Sequence, residues 1–215
     1  MKEFMKRFKY GITYHNNMVN HKFSLREKIL KFLIEKKEKH TILEISKALN
    51  TDYKNVFQSV GSMPDLIYRE KKGSLNLIEI KTSPNNDIYS VEEKRTAEFL
   101  DKNKGLKLVL DDVKSLNYPF LIVLVFGSIA GGTGSKTSDI DLCVISDNER
   151  RSKELISKLN LLPLKLEIHD FTINEFESML DKKEGNVAKE IIKNNIILYG
   201  IGNYYNLVSK WMKKE

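Results

Sequence analysis

Phe126-Gly127-Ser128-Ile129-Ala130-Gly131-Gly132-Thr133-Gly134-Ser135-Lys136-Thr137-Ser138-Asp139-Ile140-Asp141-Leu142 is the stretch on which the reading of this chain turns. The apolar run before it, Phe120 to Val125, has no polar alternation and reads as a strand buried on both faces. A Gly127-Ser128 turn and a polar, glycine-rich loop follow. From Asp139 to Val144 polar and apolar residues then alternate at period two, which is a second strand. Its two aspartates point to one face, about 7 Å apart along the chain. Two close carboxylates on a rigid strand, opposite a turn with free backbone N–H groups, suit metal ions that hold a polyphosphate.

The segment Gly131–Thr137 looks like a phosphate-binding Walker loop, but that loop needs Gly directly before its Lys. Ser135 stands there, and Asp139 follows too soon for the helix the loop must open. Further on, Leu164 to His169 alternates again, with Leu164, Leu166 and Ile168 on one face and Lys165, Glu167 and His169 on the other. Glu167 is thus the best-placed third carboxylate, with Asp170 at the strand end as the fallback. His169 shares the Glu167 face, either as a structural histidine or as a nucleotide contact.

Composition bounds the rest. The 215 residues suffice for one large or two small domains, and no apolar run approaches the ~20 residues of a membrane span. The basic N-terminus lacks the apolar segment of a signal peptide, so a cytoplasmic protein is expected. Cys143 is the single cysteine, which excludes an intrachain disulfide and fits a reducing compartment; a small buried residue is its expected role. The net charge of +7 is uneven: residues 1–80 hold 16 Lys and Arg against 9 Asp and Glu, whereas residues 81–215 hold 20 of each. The first third is therefore the part suited to a polyanion.

That third reads as three helices and a hairpin. Ser24 with Glu27, and Thr41 with Glu44, are capping boxes that open the first two helices. Residues 52–60 form the third, with Val56, Phe57 and Val60 inward. Leu66–Glu70 and Leu75–Ile80 are strands flanking a Lys71–Ser74 turn. This pattern resembles a winged helix-turn-helix domain over residues 21–82. The resemblance implies that the third helix presents Tyr53, Lys54, Asn55, Gln58 and Ser59 to double-stranded DNA, and that Arg69, Lys71 and Lys72 of the wing reach phosphates. A winged helix used for protein contacts or dimerisation stays open beside it.

Thr82-Ser-Pro-Asn-Asn86 is a linker signal, and Ser90 with Glu93 reads as the cap of a connecting helix. The expected division is an arm at 1–20, the winged helix at 21–82, a linker and connecting helix at 83–104, a catalytic domain at 105–200 and a basic amphipathic tail at 201–215.

Phe126-Gly127-Ser128, ten intervening residues and Asp139-Ile140-Asp141 resemble the signature of the nucleotidyltransferase superfamily that includes DNA polymerase β. The chain is most similar to its minimal nucleotidyltransferases, often paired with HEPN proteins. The resemblance implies an α+β protein in which the winged helix precedes a short mixed sheet with helices on one face. It implies that Gly127 and Ser128, with Ser138, bind nucleotide phosphates, and that Asp139, Asp141 and Glu167 are catalytic and hold two Mg²⁺ ions. It further implies transfer of an NMP, AMP from ATP in the favoured version, to a hydroxyl, with a HEPN protein as possible acceptor and a homodimer or hetero-oligomer as the assembly. Many relatives carry a basic residue after the Ala of the turn, where this chain has Gly131, which leaves activity and substrate open. A rival reading is a DNA-binding regulator whose transferase domain only senses nucleotide or is inactive.

Overall fold

A computed structural model describes residues 22–116, 118–135 and 138–212; the arm expected at 1–20 lies outside them. Helix α1 (Leu25–Lys36) starts at Ser24, whose hydroxyl accepts from the Glu27 amide while Glu27 reaches back to the Ser24 amide. It buries Ile29, Leu30, Leu33 and Ile34. The short strand β1 (His40–Thr41) leads into α2 (Ile42–Ala48), capped in the same way by Thr41 and Glu44. Helix α3 (Tyr53–Gly61) buries Val56 and Val60, one turn apart on the inward face. Phe57, expected inside, is 49% exposed and stacks on Tyr53 at 6.3 Å, because it sits about 100° round the helix from Val56.

Strands β2 (Ile67–Lys72) and β3 (Leu75–Ile80) form a hairpin whose two-residue loop begins with Gly73 at φ +62°. With β1 they make a three-stranded antiparallel sheet in the order β1-β3-β2. The connecting helix α4 (Asn86–Lys102) begins at Asn85, whose side chain accepts from the Asp87 amide. Ser90, expected as its cap, is inside the helix: an Asn cap four residues into a polar linker outcompetes a Ser already flanked by helix formers.

The second half comprises α5 (Leu106–Leu116), β4 (Leu121–Phe126), the single turn α6 (Gly127–Ala130), β5 (Ile140–Ser146), α7 (Glu149–Leu159), β6 (Leu166–Thr172), α8 (Ile173–Leu180), α9 (Val187–Lys193), β7 (Asn195–Tyr199) and α10 (Ile201–Met212). Its mixed sheet runs β6-β5-β4-β7; β4 is antiparallel to β5 and β7, and β5 is parallel to β6. All six β4 residues are buried.

Alternation along β4 divides the core. Ile122, Leu124 and Phe126 join Cys143, Ile145 and Ile197 on one face, where α8, α9 and α10 pack. Leu121, Val123 and Val125 join Leu142 and Val144 on the other, beneath α5 and α7. The expectation of helices on one face is therefore corrected: a strand apolar on both sides leaves hydrocarbon in water unless both are covered, at roughly 25 cal/mol per Å².

Two further features matter for the site. The first apolar cluster runs without a break from α1, α2, α3 and the hairpin into the mixed sheet, so the linker after β3 separates no cores. Residues 201–212, expected as part of a basic amphipathic tail, form α10 with Tyr204, Tyr205, Leu207 and Val208 buried. Their apolar stripe recurs at helical spacing, and the face it meets is that of β4 and α4.

The seam between the halves holds a buried polar network. Arg95 on α4 pairs with Glu92 one turn earlier, and Glu92 accepts from the Tyr205 hydroxyl at 2.7 Å. Arg95 also donates to the Asn195 carbonyl at 3.3 Å and pairs with Glu35 at 3.4 Å. Asn195 in turn donates to the Tyr204 hydroxyl at 2.8 Å. Buried charges persist in a core only when paired in this way. Among the described residues no helix is long and apolar enough to cross a membrane.

Candidate active site

The chain leaves β4 through Gly127, whose φ of +67° is left-handed and favours glycine. Space demands glycine as well: a Cβ there would lie 2.1 Å from Asp141 Oδ2 and 3.0 Å from its Cγ. The carboxylate of the second strand thus rests on the Cα of the turn. The turn is held from behind by Asn194, which donates from Nδ2 to the Gly127 carbonyl at 3.2 Å. The Ser128 carbonyl accepts from the amides of Thr133 and Gly134, both at 3.0 Å, which folds the loop back over α6. The Ser138 hydroxyl accepts from the Ser135 amide at 3.0 Å and closes the far end of that loop. Ser128 is exposed.

Parallel pairing of β5 with β6 sets Asp141 directly beside Glu167, and Cys143 beside His169. These side chains share the face occupied by Phe126. Ligand atoms of Asp141, Glu167 and His169 lie within 4.8 Å of one another. His169 Nε2 is 3.4 Å from Glu167 Oε1, and its ring meets Phe126 edge-on at 5.2 Å between centroids. Partial burial, and after it the negative charge of Glu167, raise the Asp141 carboxyl above the ordinary carboxylate range; His169 acts the other way. Asp139 and Glu190 add smaller repulsions.

Of the three expected carboxylates, the structure gathers Asp141 and Glu167. Asp139 is exposed, precedes β5 and contributes to the field at Asp141 without joining the three-residue cluster. His169 takes the third place in that cluster; its signal in the sequence was the face it shares with Glu167. The fallback Asp170 is on the opposite face, where the Ser152 hydroxyl of α7 donates to it. Asn194 had no signal in the sequence, since only the fold brings the end of α9 to the turn. Cys143 is fully buried and burial pushes its thiol far up, so it is no nucleophile.

The donor set fits a divalent cation. Two carboxylates suit the hard ions Mg²⁺ and Mn²⁺, and the imidazole widens the choice toward Mn²⁺. The Asp141 carboxyl is raised first by partial burial and then by Glu167, and a cation between the two would offset both effects.

In the N-terminal half, Tyr53, Lys54, Asn55 and Gln58 are exposed on α3, with Ser59 partly covered. Arg69, Lys71 and Lys72 are exposed on β2, so one hairpin strand and one helix carry all these side chains outward.

Residues 113–202 match the family model described as "Polymerase beta, Nucleotidyltransferase". The matched segment takes in the turn, the carboxylates and Asn194. A solved structure described as "Crystal structure of the toxin-antitoxin with AMP-PNP" is similar at 18% identity, covering 49% of this chain and 85% of that one, with a TM-score of 0.31. That likeness is too slight to carry an argument about function. No curated protein matches the chain.

Proposed function

We propose that the chain is a Mg²⁺-dependent nucleotidyltransferase that moves an NMP, AMP from ATP, onto a hydroxyl of an acceptor protein such as a HEPN partner. The observation that carries it is the cross-strand pair Asp141–Glu167 set against the Gly127 turn, inside the segment that matches the nucleotidyltransferase model.

In this reading Gly127 and Ser128 take the nucleotide phosphates, because the first amides of α6 have no partners within the helix. Ser138, tied to Ser135, keeps the loop over them. Asp141 and Glu167 would hold the cation, with His169 steadying Glu167 and Asp139 at the mouth of the site. When bound, the cation supplies neutralising charge for the phosphates and for the departing pyrophosphate. The acceptor oxygen bonds to the α-phosphorus, the bond from that phosphorus to the bridging oxygen breaks, and the hydroxyl proton leaves to solvent. No covalent intermediate on the protein is needed, in keeping with the inert Cys143.

Incubation with α-labelled ATP, Mg²⁺ and the products of neighbouring genes tests the reading. Label should appear on one acceptor, and Asp141→Ala with Glu167→Ala should abolish it. No label on any acceptor with any nucleotide would overturn it.

A second reading concerns the N-terminal half. The order helix, strand, helix, helix, hairpin and the exposed polar face of α3 support a winged helix that binds double-stranded DNA. The two activities are compatible in one chain. Binding of duplex DNA that is insensitive to salt would count against it.

A further inference from the structure

A cleft of about 500 Å³ opens where α1, α4 and the end of α9 approach the turn after β4. That volume lies within the range of small-ligand sites. Its wall includes Ile129 to Gly132 of the turn and Asn194, the same residue that braces Gly127, so it abuts the carboxylate site. Six cationic side chains line it, against two carboxylates, for a net of +4.

Those cations fall into two groups. Lys31 pairs with Glu98 at 2.5 Å, Arg95 with Glu92 and Glu35, and Lys37 donates to the Ile192 carbonyl. Burial lowers the Lys37 ammonium to about 8, which marks it as part of the enclosed floor. Lys36, Lys102 and Lys193 are exposed and, among the described residues, have no ion-pair or hydrogen-bond partner.

These three unpaired lysines come from different elements, each in the last turn of its helix. A lysine in that position can simply complement its own helix dipole. However, three helix ends bring at most about half a negative charge each, which leaves the concavity positive. Only the fold brings residues 36, 102 and 193 to one cleft, and it does so beside the turn.

We propose that this cleft is a binding site for the phosphates of a ligand of nucleotide size, with Lys36, Lys102 and Lys193 as its contacts. The site is distinct from the carboxylate cluster and does not depend on that cluster transferring a nucleotidyl group. A free nucleotide and the end of a nucleic acid strand offer the same phosphate chemistry.

The test uses the full chain in EDTA, where the neighbouring carboxylates repel anions, and measures binding of inorganic tripolyphosphate by calorimetry. Wild type should bind saturably. Lys36→Gln/Lys102→Gln/Lys193→Gln should weaken binding about tenfold or more, the effect of losing three charge-assisted contacts in a partly solvated site. Lys54→Gln/Lys71→Gln/Lys72→Gln removes equal charge elsewhere and should change it less than about threefold. Asp141→Asn, which removes one of those repelling charges, should not weaken it, and this separates the site from the proposed transferase centre. Displacement of tripolyphosphate by ADP identifies a free nucleotide as the source, and displacement by a short single-stranded oligonucleotide identifies a strand end; either supports the site. Absence of saturable binding to wild type, or equal losses in the two triple variants, overturns it.

Discussion

Gly127→Ala separates backbone strain from damage to the site. At φ +67° an alanine costs about 1–2 kcal/mol more than glycine, partly offset by the roughly 0.4–1 kcal/mol gained from a stiffer unfolded chain. A net loss near 1 kcal/mol lowers Tm by about 2–4 °C in a chain of this size. The new methyl also meets Asp141 Oδ2. To pass from 2.1 Å to the 3.4 Å of ordinary contact the carboxylate retreats by about 1.3 Å, and misplacement on that scale costs on the order of a hundredfold in rate. Gly73→Ala is the matched control, since Gly73 has φ +62° and nothing within 4 Å of its would-be Cβ. The two variants should melt at similar temperatures. Mn²⁺ isotherms and label transfer from ATP should be near wild type for Gly73→Ala and severely reduced for Gly127→Ala. Wild-type Mn²⁺ affinity in Gly127→Ala would refute the idea that the glycine exists to seat Asp141.

The raised Asp141 carboxyl gives a pH dependence. The native state keeps that proton to higher pH than the unfolded chain does, so stability falls as pH rises from the unfolded to the folded value and stays lowered above it. In chelator Asp141→Asn should therefore melt above wild type at neutral pH, and the gap should shrink on acidification; a variant less stable at every pH would contradict this. Adding Mn²⁺ should reverse the order, because only wild type retains both carboxylates. Arg95→Met leaves the buried Glu92 with the Tyr205 hydrogen bond but without its guanidinium partner and should cost about 3–5 kcal/mol in a urea titration, whereas a loss below about 1 kcal/mol would show the network to be dispensable. Lys54→Ala/Gln58→Ala, both on the exposed face of α3, should weaken duplex DNA binding and leave stability within about 0.5 kcal/mol, as measured by mobility shift and thermal melting.

Local chemistry was legible where it is written in neighbouring residues. Both expected capping boxes of the N-terminal half formed, as did the strands on either side of the Gly-rich loop, because caps and periodicity need only residues a few positions apart. Phe57 departs from the inward expectation because its angle on α3, about 100° from Val56, turns the ring to solvent. The amphipathic stripe of residues 201–212 is visible in the sequence, but which surface it covers depends on a partner face distant in the chain.

By itself the sequence determined that a buried strand, a Gly-Ser turn and an alternating strand with Asp139 and Asp141 on one face follow one another, and that Glu167 lies on the polar face of a later strand. Periodicity says which face a side chain takes; it carries no information about which strand lies alongside or in what register. The tertiary structure decided that β5 and β6 pair in parallel with Asp141 beside Glu167, which draws in His169 and sends Asp170 to the other side. It also decided that the Asp141 carboxylate occupies the space a side chain at Gly127 would need, and that lysines from three helix ends share one cleft behind the turn. Those are contacts between residues distant in the chain, fixed by packing both faces of β4 at once, and no local pattern encodes them.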